Sequence, residues 1–169
     1  MNVLFLYIIV PLIVANVVHM IVVKKGLFLF LTVPVSRRLF GANKTWRGFV
    51  IVPVLNAILV VVVNGLVLYF PAIRAMSIGF LLGMAYMLSE LPNSYLKRRL
   101  GIAPGGSAGR HRQLFMLLDK TDSSCGVSLA SWFLLHLSLW QVLELLVLSV
   151  VTHVVFSWLL VITRIKKSF

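Results

Sequence analysis

Apolar residues are grouped along this chain into five long stretches, separated by short polar or basic segments. The stretches are residues 3–23, 49–69, 75–91, about 123–143 and about 145–162. A hydrocarbon core of about 30 Å needs about 20 helical residues, and backbone groups in lipid must be hydrogen-bonded within the helix. The pattern therefore predicts an all-α, polytopic membrane protein with about five transmembrane helices.

Hydropathy alone separates the last two stretches poorly. Trp140, Gln141 and Glu144 mark the boundary between them, and these residues predict a tight turn there. A four-span alternative therefore stays open from the apolar pattern, and the distribution of charge has to decide between the two.

Basic residues are concentrated in three regions of the chain. Every Lys and Arg except Arg74 lies in the segment after the first stretch, in the segment after the third, or in the C-terminal tail. Such residues accumulate on the cytoplasmic side of membrane proteins. Five spans place the three regions on one side, with the N-terminus outside and the C-terminus in the cytoplasm, whereas four spans would put the basic tail opposite.

Composition indicates a single integral membrane domain over residues 1–169, with cytoplasmic loops 24–48 and 92–122. The chain is 60% hydrophobic and 12% charged, whereas soluble domains are about 45–50% apolar and about 25% charged. The net charge of +12 is explained by the basic loops, so we expect no nucleic-acid binding. Segment 27–35 is apolar but too short to span, and we expect it in the membrane interface.

Three of the four carboxylates lie near the long second loop. Glu90 closes the third stretch, while Asp119 and Asp122 precede the fourth at a spacing that puts both on one face of a helix. Helix-dipole stabilisation and solvated salt bridges are the alternative explanation. Ionisable groups at span ends, in a chain with so few acids, favour a site instead. Oxygen ligands beside basic residues suit Mg²⁺ that itself holds phosphates.

Two basic clusters complete the candidate site. Lys44 and Arg47 precede the second stretch, and residues 97–99 follow the third. Positive-inside topology and contact with anionic lipid are the better explanation of the bare charge. They do not explain the uncharged members of segment 41–48, where Thr45 could cap a helix whose free N–H groups favour an anion.

Two segments resemble a known enzyme family. Segment 41–48, GANKTWRG, resembles the GxxKTWxG box of the membrane CTP:phosphatidate cytidylyltransferases (CDP-diacylglycerol synthases), and is closer still to the small CDP-archaeol synthases. Ser94, Lys97 and Arg98, followed by Asp119-Lys120-Thr121-Asp122-Ser123, resemble the family signature Ser-x-x-Lys-Arg and Asp-Arg/Lys-x-Asp-Ser. The resemblance covers roughly residues 40–126, and its two halves support each other.

The resemblance implies roles for individual residues. Asp119 and Asp122 match the aspartates that bind Mg²⁺, and Lys97 and Arg98 match the basic pair that meets phosphates. Glu90 stands where the family usually has aspartate, which makes it the third candidate metal ligand. The candidate nucleotide- and phosphate-binding residues are Asn43, Lys44, Thr45, Trp46, Arg47 and Ser94.

The implied reaction transfers CMP from CTP to a membrane lipid phosphate, giving a CDP-lipid and pyrophosphate for phospholipid biosynthesis. The expected cofactor is Mg²⁺, and the expected partners are CTP, a phosphatidate-like or archaeol-like lipid phosphate, and the cell membrane, with the site on its cytoplasmic side. A homodimer stays open. The alternatives are a non-catalytic lipid-binding or scaffold protein with the same fold, and a small transporter, for which the spans carry few polar residues.

Overall fold

Five helices form the protein, with no β-sheet among the described residues. The computed structural model describes residues 3–67, 70–104, 106 and 112–163. The helices are α1 (Val3–Lys24), α2 (Trp46–Val67), α3 (Ala72–Arg99), α4 (Arg112–Leu135) and α5 (Leu139–Ile162). The all-α prediction is confirmed. Between α1 and α2 the described chain adds a 3₁₀ turn, Leu29–Leu31, and one isolated bridge from Pro34 to Thr45.

Four of the helices are long and apolar enough to cross a membrane, namely α1, α2, α3 and α5. Helix α4 has 24 residues, which correspond to about 36 Å. Asp119, Lys120 and Asp122 lie in its first half, and these charges exclude it from a set chosen by hydropathy. The protein is therefore a polytopic membrane protein whose fourth helix is polar at one end.

The turn between the last two helices lies earlier than the sequence pattern predicted. Helix α4 ends at Leu135 and α5 begins at Leu139, so Trp140, Gln141 and Glu144 belong to the first turns of α5. A capping box fixes this start, because the Ser138 hydroxyl accepts a hydrogen bond from the Gln141 N–H and the Gln141 side chain accepts one from the Ser138 N–H. Hydropathy missed the boundary because the capping residues are few and the flanking residues are apolar.

The segment 92–122 is helical at both of its ends, and at the first end this agrees with the sequence, in which residues 93–100 can extend a helix. Helix α3 continues through Pro92 to Arg99, and α4 begins at Arg112. Apolarity ends near residue 91, but polar residues such as Lys97 and Arg98 are good helix formers. Residues 105 and 107–111, within the glycine-rich connection, lie outside the described residues, as do the basic residues of the tail, Arg164, Lys166 and Lys167.

Glycines allow the three central helices to approach closely. A Cβ atom on Gly83 would lie 2.6 Å from the Pro53 Cα of α2. On the other side of α3, a Cβ on Gly126 of α4 would lie 2.3 Å from the Ser89 Cβ. Real Cβ contacts are not this short, so α3 is held between α2 and α4 at distances that only glycine permits.

The helix order brings one set of helix ends together. The C-terminal ends of α1, α3 and α5 and the N-terminal ends of α2 and α4 lie on the same side of the bundle, because successive helices alternate in direction. Arg74, at the start of α3, lies at the opposite end. Lys44, Glu90, Lys97, Asp119 and Asp122 all belong to the first side, so the fold collects the predicted site residues there.

Candidate active site

An ion pair connects the segment before α2 with the third helix. The Lys44 ammonium group donates a short hydrogen bond to Glu90 Oε2, and both side chains are about four-fifths shielded from solvent. Burial by itself would lower the pKa of Lys44. The charge of Glu90 and its hydrogen bond, with smaller contributions from Asp122 and Asp119, outweigh burial and raise the pKa above its usual value. Lys44 therefore stays a cation inside the site.

The two aspartates of α4 converge on a single amide group. Asn93 Nδ2 donates hydrogen bonds to Asp119 Oδ1 at 2.7 Å and to Asp122 Oδ2 at 3.1 Å. Lys97 Nζ lies 2.5 and 2.6 Å from the two oxygens of Asp119. The backbone N–H of Ser123 donates to Asp122 Oδ1 at 2.7 Å. The carboxylates thus face the same point and are oriented by groups from α3 and α4.

Helical spacing explains why these side chains meet. Glu90, Asn93 and Lys97 follow one another on α3 at intervals of three and four residues, so they share one face. Asp119 and Asp122 do the same on α4. The close contact between Ser89 and Gly126 brings the two faces together. The sequence therefore builds the site from two opposing helix faces and completes it with Lys44.

The site residues border two cavities, of which the first is the more polar. The first encloses about 310 Å³, and its lining includes Lys44, Glu90, Ser94, Asp119 and Asp122. The second encloses about 600 Å³ on the side of the α1–α2 connection. Lys44 and Glu90 line both cavities, so their ion pair stands at the boundary between two spaces that could each hold a ligand.

Most of the remaining predicted residues lie beside the larger cavity. Asn43, Thr45 and Arg47 contribute to its lining. Arg47 is buried, and its Nη1 donates a hydrogen bond to the Leu27 carbonyl at 3.2 Å. Trp46 is 49% exposed and lies against Phe49. It lines neither of the two cavities.

Arg98 joins the two halves of the sequence motif. A Cβ atom on Gly41 would lie 3.1 Å from Arg98 Nη1 and 3.1 Å from Pro104 Cγ. Gly41 has a φ of +86°, a conformation that favours glycine. Within the described part of the chain, Nε and Nη1 of Arg98 are buried without a hydrogen-bond partner. These donors could meet a phosphate.

Sequence reasoning missed three residues at the site. Asn93 orients both aspartates, and Lys120 is buried and lines the 310 Å³ cavity. His153 of α5 lines the same cavity, and its Nδ1 lies 3.2 Å from the Ser123 hydroxyl. His153 and Leu160, which both line this cavity, lie seven residues apart on one face of α5. The sequence does not distinguish that face, because apolar residues occupy every face of α5.

The donor set at the aspartates fits a magnesium ion. Among residues 3–67, 70–104, 106 and 112–163, no three His, Cys, Asp or Glu side chains form a complete metal-binding cluster. Mg²⁺ does not require one, because it usually takes one or two carboxylates and fills its other positions with water and substrate phosphates. Asp119 and Asp122 could provide these carboxylates, and the neighbouring cavity has room for phosphate.

Comparisons with known proteins agree with the motifs. The family model described as CarS-like, CDP-archaeol synthase, matches residues 1–166. A CDP-archaeol synthase of Pyrococcus furiosus is 36% identical over 41% of this chain and 42% of its own length. Those of Thermococcus kodakarensis and Sulfolobus acidocaldarius are 31% and 28% identical, over 70% and 78% of this chain and 66% and 75% of their own lengths.

The alignments with the first two relatives span less than two thirds of those proteins. No solved structure matches this chain significantly. The family model, in contrast, covers both halves of the motif and all five helices. The chain therefore belongs to the CarS-like family of CDP-archaeol synthases.

Proposed function

We propose that this protein is a Mg²⁺-dependent cytidylyltransferase, which transfers CMP from CTP to the phosphate of a membrane lipid and releases pyrophosphate. The product is a CDP-lipid, the activated intermediate of phospholipid synthesis. The reaction takes place on the cytoplasmic side of the cell membrane, where the positive-inside rule puts the basic end of the bundle. Family membership supports the reaction class, and the geometry of the site supports the roles of its residues.

One observation carries the proposal. Asp119 and Asp122 converge on Asn93, and Lys44 faces them across the 310 Å³ cavity. Carboxylates and cations that surround one space suit a ligand that contains both metal and phosphate, since each charge on the protein then has a partner of opposite sign.

The residues act by alignment and by neutralising charge. The lipid phosphate is already ionised, so its oxygen can attack the α-phosphorus of CTP without a general base, while the bond to pyrophosphate breaks. Lys44, Arg47 and Arg98 hold phosphate oxygens, and Asn43 and Thr45 border the nucleotide. Asp119 and Asp122, with Glu90 as the third candidate, would hold Mg²⁺, and the bound ion would supply positive charge that stabilises pyrophosphate as the leaving group.

Replacement of one aspartate tests the assignment. Asp122→Asn keeps the size of the side chain but removes the charge, so we expect turnover to fall at least about 100-fold. The assay uses purified protein, labelled CTP, Mg²⁺ and lipid phosphate, and it follows CDP-lipid and pyrophosphate. Glu144→Gln is the matched control, because Glu144 is an exposed carboxylate in the first turns of α5, at the other end of the bundle.

Both variants should elute from gel filtration like the wild type. Full activity of Asp122→Asn would overturn the metal assignment. Wild-type protein that releases no pyrophosphate with any lipid phosphate would favour a non-catalytic lipid-binding protein. A panel of diacyl and isoprenoid-ether lipid phosphates in the same assay identifies the lipid class.

A further inference from the structure

We propose that the apolar turn after α1 inserts into a bilayer surface that carries anionic head groups, and that this contact positions the phosphate-binding residues before α2. The turn, which we call the interfacial turn, consists of residues 27–31. Its apolar sequence predicts a place in the membrane interface, but neither the charge of the surface that it meets nor a connection to the site. The effect on activity rests on the proposed function, whereas the insertion does not depend on it.

A tight turn ends α1 and keeps the following residues close to the end of the helix. The Leu27 N–H donates to the Val22 carbonyl at 3.1 Å, and the Gly26 N–H donates to the Val23 carbonyl at 3.2 Å. This pair of hydrogen bonds is a Schellman motif, and Gly26 supplies its left-handed residue, with a φ of +65°. The chain therefore stays near the level at which the apolar helix α1 ends.

The interfacial turn exposes apolar side chains at the level of exposed tryptophans. Leu29 and Phe30 are 69% and 74% exposed. The Trp46 N–H donates to the Val33 carbonyl at 3.0 Å, which holds the segment beside the half-exposed Trp46 side chain. Trp158, near the end of α5 on the same side, is 57% exposed. Tryptophan is enriched where a membrane meets water, so the apolar side chains of the turn are placed to enter the head-group region.

Four exposed cations flank the interfacial turn. Lys24 and Lys25 precede it, and Arg37 and Arg38 follow it. The described part of the chain offers none of them an Asp or Glu partner, because three of the four acidic side chains belong to the site and the fourth, Glu144, lies at the opposite end of the bundle. Basic residues next to an inserted apolar segment attract anionic head groups. The charge distribution therefore fits a negatively charged bilayer surface better than a zwitterionic one.

Hydrogen bonds connect the interfacial turn to the site. The buried Arg47 side chain donates from Nη1 to the Leu27 carbonyl at 3.2 Å. Farther along the same segment, the Val35 N–H donates to the Lys44 carbonyl at 2.9 Å, and Thr32 lines the 600 Å³ cavity. The depth of the segment in the interface thus sets the position of two cations of the site. Anionic head groups that draw the segment inward stabilise that position.

The first experiment measures insertion without turnover. In the Cys125→Ser background, Phe30→Cys and Leu100→Cys each introduce one thiol, which is labelled with the fluorophore NBD. Leu100 is the matched position, because it is 59% exposed at the same end of the bundle but follows α3.

Both labelled variants are placed in nanodiscs that contain doxyl-labelled lipid. We expect strong quenching at position 30 and little at position 100. Quenching at position 30 should be stronger in equal parts of phosphatidylcholine and phosphatidylglycerol than in phosphatidylcholine alone. Equal quenching at the two positions, or quenching at position 30 that ignores lipid charge, would overturn the proposal.

The second experiment measures the connection to the site. With lipid phosphate held constant, we expect kcat/KM for CTP to be at least about fivefold higher in the mixed nanodiscs than in phosphatidylcholine alone, which is about the effect of one basic residue at an anionic surface. Arg37→Gln combined with Arg38→Gln should lose this preference. Arg37→Lys combined with Arg38→Lys keeps both charges and should retain it. A preference that survives the loss of both charges would overturn the proposal.

Together the two measurements distinguish this inference from the proposed function. Quenching at position 30 in anionic nanodiscs, without CDP-lipid formation in any membrane, would overturn the proposed function and support the membrane contact. CDP-lipid formation at one rate in both membranes, with an unquenched label at position 30, would overturn the membrane contact and support the reaction.

Discussion

At the scale of single residues, Glu90 has a partner that the sequence did not indicate. Its carboxylate bonds the Lys44 ammonium group, which belongs to a segment 46 positions away along the chain. Glutamate is one methylene longer than the aspartate that the family pattern has here, and Glu90 lines both cavities together with Lys44. Glu90 therefore sets the charge and position of Lys44, whether or not it also binds metal.

Glu90→Gln should change the pH dependence of the reaction. Burial lowers the pKa of Lys44 and the Glu90 charge raises it, so removal of that charge lowers the pKa of the lysine. Lys44 then loses its proton at a lower pH, and with the proton it loses the positive charge that binds phosphate. We expect the alkaline limb of the pH–activity profile to move to lower pH. An unchanged alkaline limb would show that Lys44 does not hold phosphate as a cation.

Asn93 should matter for metal affinity more than for nucleotide binding. It is buried and donates to both aspartates, and groups that orient metal ligands typically change affinity about 10–100-fold when removed. We expect Asn93→Ala to raise the Mg²⁺ concentration for half-maximal activity at least about tenfold, with a smaller effect on the KM for CTP. Tyr95→Phe is the control, because Tyr95 bonds Arg99 near the surface; an equal Mg²⁺ requirement in both variants would contradict the role of Asn93.

At the scale of elements, the approach of α4 to α3 sets the geometry of the metal site. Gly126→Ala would put a methyl group against Ser89, and overpacking of this kind costs about 1–3 kcal/mol. We expect a lower melting temperature in detergent, with a loss of activity because Asp119 and Asp122 move with α4. Gly65→Ala is the matched control, since a Cβ there meets nothing within 4 Å and alanine favours the helix. Equal stability of the two variants would show that the helices can separate at no cost.

The sequence predicted these elements well where apolarity defines them and poorly where it does not. The first two spans agree closely with α1 and α2, because lipid-facing helices must be apolar along their length. The C-terminal end of α3 and the N-terminal end of α4 are polar, so hydropathy does not mark where these helices end and begin. The start of α5 carries the capping-box pattern Ser-x-x-Gln. This local pattern is a weak signal beside a long apolar run.

The candidate site was predictable as a set of residues and not as a set of contacts. Motif spacing placed Asp119, Asp122 and Lys97 on helix faces, and the structure brings those faces together. The pairing of Lys44 with Glu90 depends on the path of the α1–α2 connection, for which the sequence has no periodic signal. His153 was missed for a related reason, since the role of a single polar residue in an apolar helix depends on which helices pack around it.

At the scale of the whole molecule, the five helices place every predicted site residue at one end of the bundle. Helix α3 has 28 residues, or about 42 Å, and is longer than a hydrocarbon core of about 30 Å. Its two ends therefore emerge on opposite sides of the membrane. The exposed hydrophobic residues between α1 and α2, Leu27 to Phe30, lie at the same end as the site. This agrees with a position in the membrane interface.

The orientation of the bundle can be tested from the two ends of α3. In a Cys125→Ser background, which removes the only cysteine, Leu100→Cys and Ile73→Cys each introduce one thiol, at positions 59% and 77% exposed. The positive-inside rule puts Leu100 in the cytoplasm and Ile73 outside. We expect a membrane-impermeant maleimide to label the first variant only in inverted vesicles and the second only in intact cells. The reverse labelling pattern would put the site on the outer face, where CTP is absent, and would exclude the proposed reaction.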